Sequence, residues 1–302
     1  MILYSSSAEA FRNDVETNLI TDKIRAAFQG RMGYLPGLAE QHSWSNSMQY
    51  MERIVRNSKV PDDCGILIEF TIPSTSKRID FLITGQDHEY RDNFIIVELK
   101  QWESAKATSQ TDIVSTFTGG KHQNVTHPSY QAWSYKQFLI DMNEAIQAGD
   151  FSGHACAYLH NYTADREEPL LSLQYQDIVR DVPLFFKNDY QKMQDFLFKH
   201  LCCGKGVNTL HLIENGKLRP SRKLMDHVAG LFSGNSEFVL LDEQKVVYET
   251  ILEKATNPSR KTVILIEGGP GTGKSVISMN AFGQLLQRRK NVRFVAPNAA
   301  FR

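Results

Sequence analysis

The sequence runs to 302 residues, room for about two domains at the usual ~150 residues each. Its 41% apolar and 23% charged residues match an ordinary soluble globular composition. Acidic and basic residues balance at 34 each, which leaves nucleic-acid partners open but excludes a uniformly basic surface, so any basic patch must be local. The four cysteines, Cys64, Cys156, Cys202 and Cys203, form no C-x-x-C pair and no zinc framework, and a reduced, cytoplasmic chain is expected. The opening MILYSSSAEAFRND gains charge too early for a signal peptide, and no apolar run nears the ~18 residues of a membrane span.

In chain order, Ser6-x-x-Glu9 reads as a capping box ahead of one helix carrying Phe11, Val15, Leu19, Ile24 and Phe28 at helical spacing. "GRMGYLPG" ends it. A second helix is expected from about Leu38 to Val55, with Trp44, Met48, Met51 and Val55 on one stripe, stopped by "VPDDCG". "ILIEFTI", the turn "PSTSK" and "RIDFLI" predict a hairpin, and "FIIVELK" predicts a third strand after the polar loop "GQDHEYRDN". Residues 106–128 are polar, contain glycine and lack clear periodicity. They read as a long loop near a site. "SYQAWSYKQFLIDMNEAI" predicts a helix and "HACAYLHNY" a buried strand, and "VPLFF", "YQKMQDFLFKHL" and "TLHLI" extend the domain. "ENGKLRPSRK" is the candidate linker. "EFVLLDEQKVVYETIL" is a helix-rich lead-in to "KTVILIEGGPGTGKSVISMNAF", which reads as strand, glycine loop and helix, and "NVRFVAPN" predicts another strand. The expected domains are therefore 1–215, a linker over 216–236, and 237–302.

Charges interrupt two of these strands. Alternation puts Ile79, Phe81 and Ile83 on one face of their strand and Asp80 on the other. In the next strand Ile95, Val97 and Leu99 share a face, and Glu98 and Lys100 lie opposite, roughly 7 Å apart along the strand. An outward, solvated face would explain Glu98 and Lys100 as surface charge. Pairing of the two strands would instead gather all three charges. Two carboxylates with oxygen-only coordination suit Mg²⁺ or Mn²⁺, which can polarise a phosphodiester and lower the pKa of a bound water. A lysine between two acids stays protonated and is suited to electrostatic work.

Asp80 followed by Glu98-Leu99-Lys100, in a helix–strand–strand–strand–helix–strand order, resembles the PD-(D/E)xK nuclease superfamily, although Ile79 stands where the usual proline would. The resemblance implies an α/β, restriction-endonuclease-like αβββαβ core with Asp80 and Glu98 as metal ligands and Lys100 as the third catalytic group. Gln131-x-x-x-Tyr135 is similar to the Q-x-x-x-Y element of RecB-like members. Both would share a helix face near the site, as they would in an ordinary amphipathic core helix. The further carboxylate that such nucleases often take from the first core helix would be Glu40, with Glu52 and Glu69 as alternatives.

Gly268-Gly269-Pro270-Gly271-Thr272-Gly273-Lys274-Ser275 fits G-x-x-x-x-G-K-[ST] between an expected strand and helix. Such a loop turns backbone N–H groups and a helix N-terminus toward phosphates, with Lys274 on the β and γ phosphates and Ser275 on Mg²⁺. Gln244 in "LDEQ" resembles the adenine-reading glutamine of superfamily 1 helicases. Together these features resemble bacterial nuclease–helicase fusions whose ATPase part is related to the Schlafen helicase region. The implied activity is metal-dependent cleavage of nucleic acid, DNA ahead of RNA, by a bacterial cytoplasmic enzyme acting on foreign or damaged DNA, phage defence included. A non-cleaving nucleic-acid-binding module with a nucleotide switch is the alternative, and the partner subunits are not specified. Residues 237–302 are expected to be a truncated P-loop unit, with weak or absent ATP binding and little ATP turnover.

Overall fold

The computed structural model describes residues 2–72, 75, 77–221, 239–257 and 261–295. The chain starts with a short strand, β1 (Tyr4–Ser7), that no apolar pattern announced. The expected first helix is two: α1 (Ala8–Glu16) and α2 (Ile20–Met32). They part at Asn18, whose φ of 57° is left-handed, a conformation asparagine tolerates better than most residues. The cap is also shifted by one residue. Ser7, not Ser6, accepts the Ala10 N–H at 3.2 Å. Helix α3 (Leu38–Asn57) buries Trp44, Met48, Met51 and Val55 as its stripe predicts.

Strands β2 (Gly65–Thr71), β3 (Arg78–Gln86) and β4 (Asp92–Lys100) follow as an antiparallel set. Helices α4 (Pro128–Met142) and α5 (Glu144–Ala148) then lead to β8 (Ser152–Leu159), which pairs parallel to β4. The helix expected there is broken at Asn143, whose side chain caps α5 by accepting from Ala145 and Ile146. After α6 (Gln176–Asp181), strand β9 (Leu184–Phe186) adds parallel to β8, giving a six-stranded mixed sheet ordered β1-β2-β3-β4-β8-β9. Helices α7 (Tyr190–Leu201) and α8 (Gly206–Asn215) close the unit.

Strand alternation builds a core on each face of this sheet. Ile66, Ile68, Phe81, Ile83, Ile95 and Val97 pack with the apolar stripes of α1, α2, α3 and α7. Leu67, Leu82, Phe94 and Ile96 pack with Ala132, Tyr135 and Leu139 of α4 and with Leu210 and Ile213 of α8. The sheet is thus covered by helices on both sides, so a polar residue on either face is buried unless it lies at the strand ends.

The stretch expected to be a long loop is a three-stranded antiparallel sheet, β5 (Ala105–Ala107), β6 (Ile113–Thr118) and β7 (Lys121–Thr126). Gly119 and Gly120 take φ of 59° and 80°, the paired positive angles of a two-residue hairpin turn. Its alternation is hard to see because both faces mix apolar and polar residues, Val114, Thr116, Gln123 and Val125 on one and Ile113, Ser115, Phe117 and His122 on the other. Val114 and Val125 anchor it against Leu159, Leu170 and Tyr175.

The linker expected over 216–236 is partly tied down. Asn143 bridges to Leu218, and the backbone N–H groups of Arg219 and Ser221 donate to Met142 and Asp141 carbonyls at 2.8 and 2.7 Å. Residues 222–236 lie outside the described residues. Beyond them come α9 (Glu243–Thr256) and α10 (Lys274–Gln287). The two strands expected around the glycine loop are not formed. Residues 261–269 and 291–295 join no ladder among the described residues, and Val263 and Leu265 are 94% and 80% exposed. An apolar run becomes a strand only where a neighbour completes its hydrogen bonds, and none among the described residues does so here. Residues 296–302 lie outside the described residues. No described helix is long and apolar enough to cross a membrane.

Candidate active site

The β3–β4 ladder ends at Phe81↔Val97, and Asp80 and Glu98 lie just beyond it. Ile79 packs with Leu82 and not with Phe81 and Ile83, so the alternation expected across Asp80 is broken there, while Lys100 reaches Gln131 of α4. Glu98 is 1% exposed, which excludes the outward, solvated alternative for this strand. The Asp80 carboxylate accepts the Leu99 N–H at 2.8 Å and lies close enough to Glu98 for the two charges to act on each other. Lys100 Nζ donates to Glu98 Oε1 at 2.7 Å and to Gln131 Oε1 at 2.9 Å. Gln131 Nε2 in turn donates to the Tyr135 hydroxyl at 2.9 Å. Gln131 and Tyr135 are one helical turn apart on α4, and Gln131 reaches Lys100 directly while Tyr135 reaches it only through Gln131.

The electrostatics follow from burial. Burial and then the Asp80 charge push Glu98 well above the usual carboxylate range. Burial also raises Asp80, against the pull of Lys100. For Lys100 burial is the largest influence and favours the neutral amine, but Glu98 and Asp80 together outweigh it and hold the ammonium. Burial therefore disfavours ionising both carboxyls at once, while Lys100 stays charged beside them. Glu98 Oε2 is buried with no hydrogen-bond partner. Two neighbouring carboxyls with an orphaned oxygen are a donor set that Mg²⁺ or Mn²⁺ fits. Among the described residues no three His, Cys, Asp or Glu side chains gather as a metal-ligand group. A cation here would rest on Asp80 and Glu98, with water or phosphate oxygens completing its shell, as is common for Mg²⁺.

Glu40 is elsewhere. Its carboxylate pairs with Arg78 at 2.6 Å, and Arg78 also reaches Glu69 at 3.0 Å. Glu52 bonds Arg56 one turn along α3. Of the three alternatives, Glu69 stands nearest in effect: burial and then the Asp80 charge push it up to about 7, and Trp44 Nε1 donates to it at 2.7 Å. Glu69 has a φ of 55°, an uncommon left-handed value for a strand residue.

Two participants escaped sequence reading. Asp242, just before α9, accepts the Tyr135 hydroxyl at 2.7 Å and pairs with Lys77 at 3.2 Å. No local spacing links a residue at 242 to strands at 80 and 98. Only the fold brings it there, by way of the Tyr130 hydroxyl donating to the Leu240 carbonyl at 3.0 Å. Lys77, read as part of a turn, also pairs with Glu243.

The glycine loop is built around its own lysine. Lys274 Nζ donates to the Gly268 and Gly269 carbonyls at 2.7 and 2.6 Å. Gly271 and Gly273 have φ of 76° and 83°, and a Cβ on Gly273 would lie 2.4 Å from Gln244 Nε2. Gln244 donates to the Thr272 carbonyl of the loop at 3.1 Å. Ser275 is exposed in the first turn of α10. A cavity of about 530 Å³ opens beside Gly268, Gly271 and Lys274 and is lined also by Lys77, Leu241 and Gln244.

The family model for the Schlafen group 3 DNA/RNA helicase domain matches residues 261–302, which include this loop. No curated protein and no solved structure matches the chain. The glycine-loop segment is therefore related to a Schlafen helicase domain, and a nucleic-acid-related function follows for that part.

Proposed function

We propose that the chain is a metal-dependent nuclease of the restriction-endonuclease-like type, joined to a nucleotide-binding, helicase-related segment, and that it cleaves phosphodiester bonds in DNA ahead of RNA. The observation that carries this reading is the convergence of half-buried Asp80 and Lys100 on buried Glu98, with one Glu98 oxygen left unpaired. The αβββαβ order around it, with β8 parallel to β4, supports the same superfamily. Asp80 and Glu98 would hold Mg²⁺ or Mn²⁺, which would supply phosphate polarisation and an acidified water. Lys100, fixed by Gln131, sets a positive charge where phosphate charge develops. Tyr135 fixes the Gln131 amide in the orientation that presents its oxygen to Lys100. The glycine loop, with Lys274, Ser275 and Gln244, would bind ATP–Mg²⁺ weakly and turn over little of it. A cytoplasmic role on foreign or damaged DNA fits this pairing of parts.

The test is cleavage of single-stranded DNA, duplex DNA and RNA in Mn²⁺, by the unaltered chain and by Asp80→Ala. Loss of a metal ligand should slow cleavage at least ~100-fold, and excess EDTA should stop it. Cleavage that survives both treatments removes the assignment. Binding of all three substrates without cleavage would favour a non-cleaving module.

A further inference from the structure

Four hydrogen bonds link the sheet charges to the segment after residue 239. Lys100 Nζ donates to Glu98 Oε1 and to Gln131, Gln131 Nε2 to the Tyr135 hydroxyl, and that hydroxyl to Asp242 Oδ2, each at 2.7 to 2.9 Å. Asp242 is thus the fixed end of the chain that orients Lys100. Two residues on, Gln244 makes its own bridge. Its Nε2 donates to Thr272 of the glycine loop, and its Oε1 accepts the Leu241 N–H at 3.1 Å. Asp242 itself is held at φ 41° and ψ −109°, which a non-glycine residue rarely adopts, and its Oδ1 is buried without a hydrogen-bond partner. A position under strain, with an unsatisfied buried oxygen, is poised between two arrangements.

We infer that Asp242 is a positioning residue of the candidate nuclease site, and that nucleotide entering the glycine loop withdraws it and slows cleavage. The inference rests on the nuclease reading for its effect on cleavage, but its mechanical part does not. Lys274 now occupies the Gly268 and Gly269 carbonyls. A polyphosphate would draw the ammonium away and turn the loop's N–H groups inward, which disturbs the Thr272 carbonyl that Gln244 holds. Gln244 lines the same cavity as Lys274 and would exchange its present partners for the ligand. The Leu241 N–H then loses its acceptor, and the adjacent Asp242 can relax out of its strained conformation. Tyr135 loses its acceptor, and the Gln131 and Lys100 orientations loosen in turn.

Coupling of this kind is reciprocal: if nucleotide weakens the Tyr135–Asp242 bond, removal of that bond must tighten nucleotide. The experiment is titration of fluorescent ATP analogue with Mg²⁺ into the full chain, Tyr135→Phe and Asp242→Ala, with thermal unfolding to confirm that each variant is folded. Tyr135 does not touch the glycine loop, so a merely structural role leaves affinity unchanged. Loss of one hydrogen bond predicts about fivefold tighter binding for Tyr135→Phe, with Asp242→Ala moving in the same direction. Cleavage in Mn²⁺ is measured alongside, and nucleotide should slow it in the unaltered chain but not in Asp242→Ala. Unchanged or weaker affinity in the folded variants overturns the inference, as does an unaltered chain that binds no nucleotide. Tighter affinity with no cleavage by any chain keeps the coupling and removes the nuclease reading instead.

Discussion

At the scale of single residues, the site is governed by charges taken out of water. Asp80 and Glu98 neighbour each other beyond the end of the β3–β4 ladder, and burial favours the protonated form of each. A divalent cation must compete with protons there. Cation affinity should therefore be low at acid pH, rise as pH climbs through the raised titration of the pair, and level off once both are ionised. The window begins above the ordinary carboxylate range near 4. The neighbouring Glu69, pushed up to about 7, adds a further charge as pH rises. Mn²⁺ titrations between pH 5 and 8 check this. A flat profile contradicts competition between proton and cation, whereas Glu98→Gln should remove both the binding and its pH dependence.

Individual residues also mark the limit of what sequence can reveal. Asp80, Glu98 and Lys100 stood out because charges interrupt apolar strands, although the β3–β4 ladder stops one residue short of them. Gln131 and Tyr135 stood out because one helical turn separates them. Asp242 did not, since its place depends on a path back across the molecule that no local period encodes. Glu40, on the expected helix, pairs with Arg78, two residues before Asp80.

At the scale of elements, long apolar stripes fixed the helices and central strands, whereas weakly alternating segments misled. The sheet β5-β6-β7 was read as a loop because both its faces mix apolar and polar residues. Its attachment is partly polar. The Tyr175 hydroxyl donates to the Ile113 carbonyl at 2.6 Å and accepts the Thr108 N–H at 3.2 Å. Tyr175→Phe should remove both bonds while keeping the ring in place. The Ile113 carbonyl retains Thr108 Oγ1 as a donor, so the loss should be about 1–2 kcal/mol. Urea unfolding should show that drop with an unchanged slope. A difference within error would mean that Val114 and Val125 alone hold the small sheet. The opposite failure occurred at residues 261–269 and 291–295, where strand-like composition is present but no described strand lies alongside to pair with it.

At the scale of the whole molecule, two chemistries meet through a few side chains. One is the carboxyl pair beside Lys100, the proposed cation site. The other is the glycine loop, in the segment that matches the Schlafen helicase-domain model. Segment 240–245 touches both, with Asp242 on the Tyr135 side and Gln244 on the loop side. Helix α9 is held to the small sheet by Gln110 to Glu253 at 2.9 Å and by Lys245 to Asp112 at 3.4 Å. A neutral overall charge leaves nucleic-acid attraction to local groups, and Lys100, partly exposed at the strand end over the ring of Trp102, is one of them. The most direct measurement is single-turnover cleavage of DNA in saturating Mn²⁺ by the unaltered chain and by Lys100→Ala, with Mn²⁺ affinity measured on the same samples. Lys100 is not a metal ligand in this account, so the variant should bind Mn²⁺ yet cleave at least ~100-fold more slowly, the scale of losing one aligned charge stabiliser. Equal rates, or no metal-dependent cleavage by the unaltered chain, would contradict it.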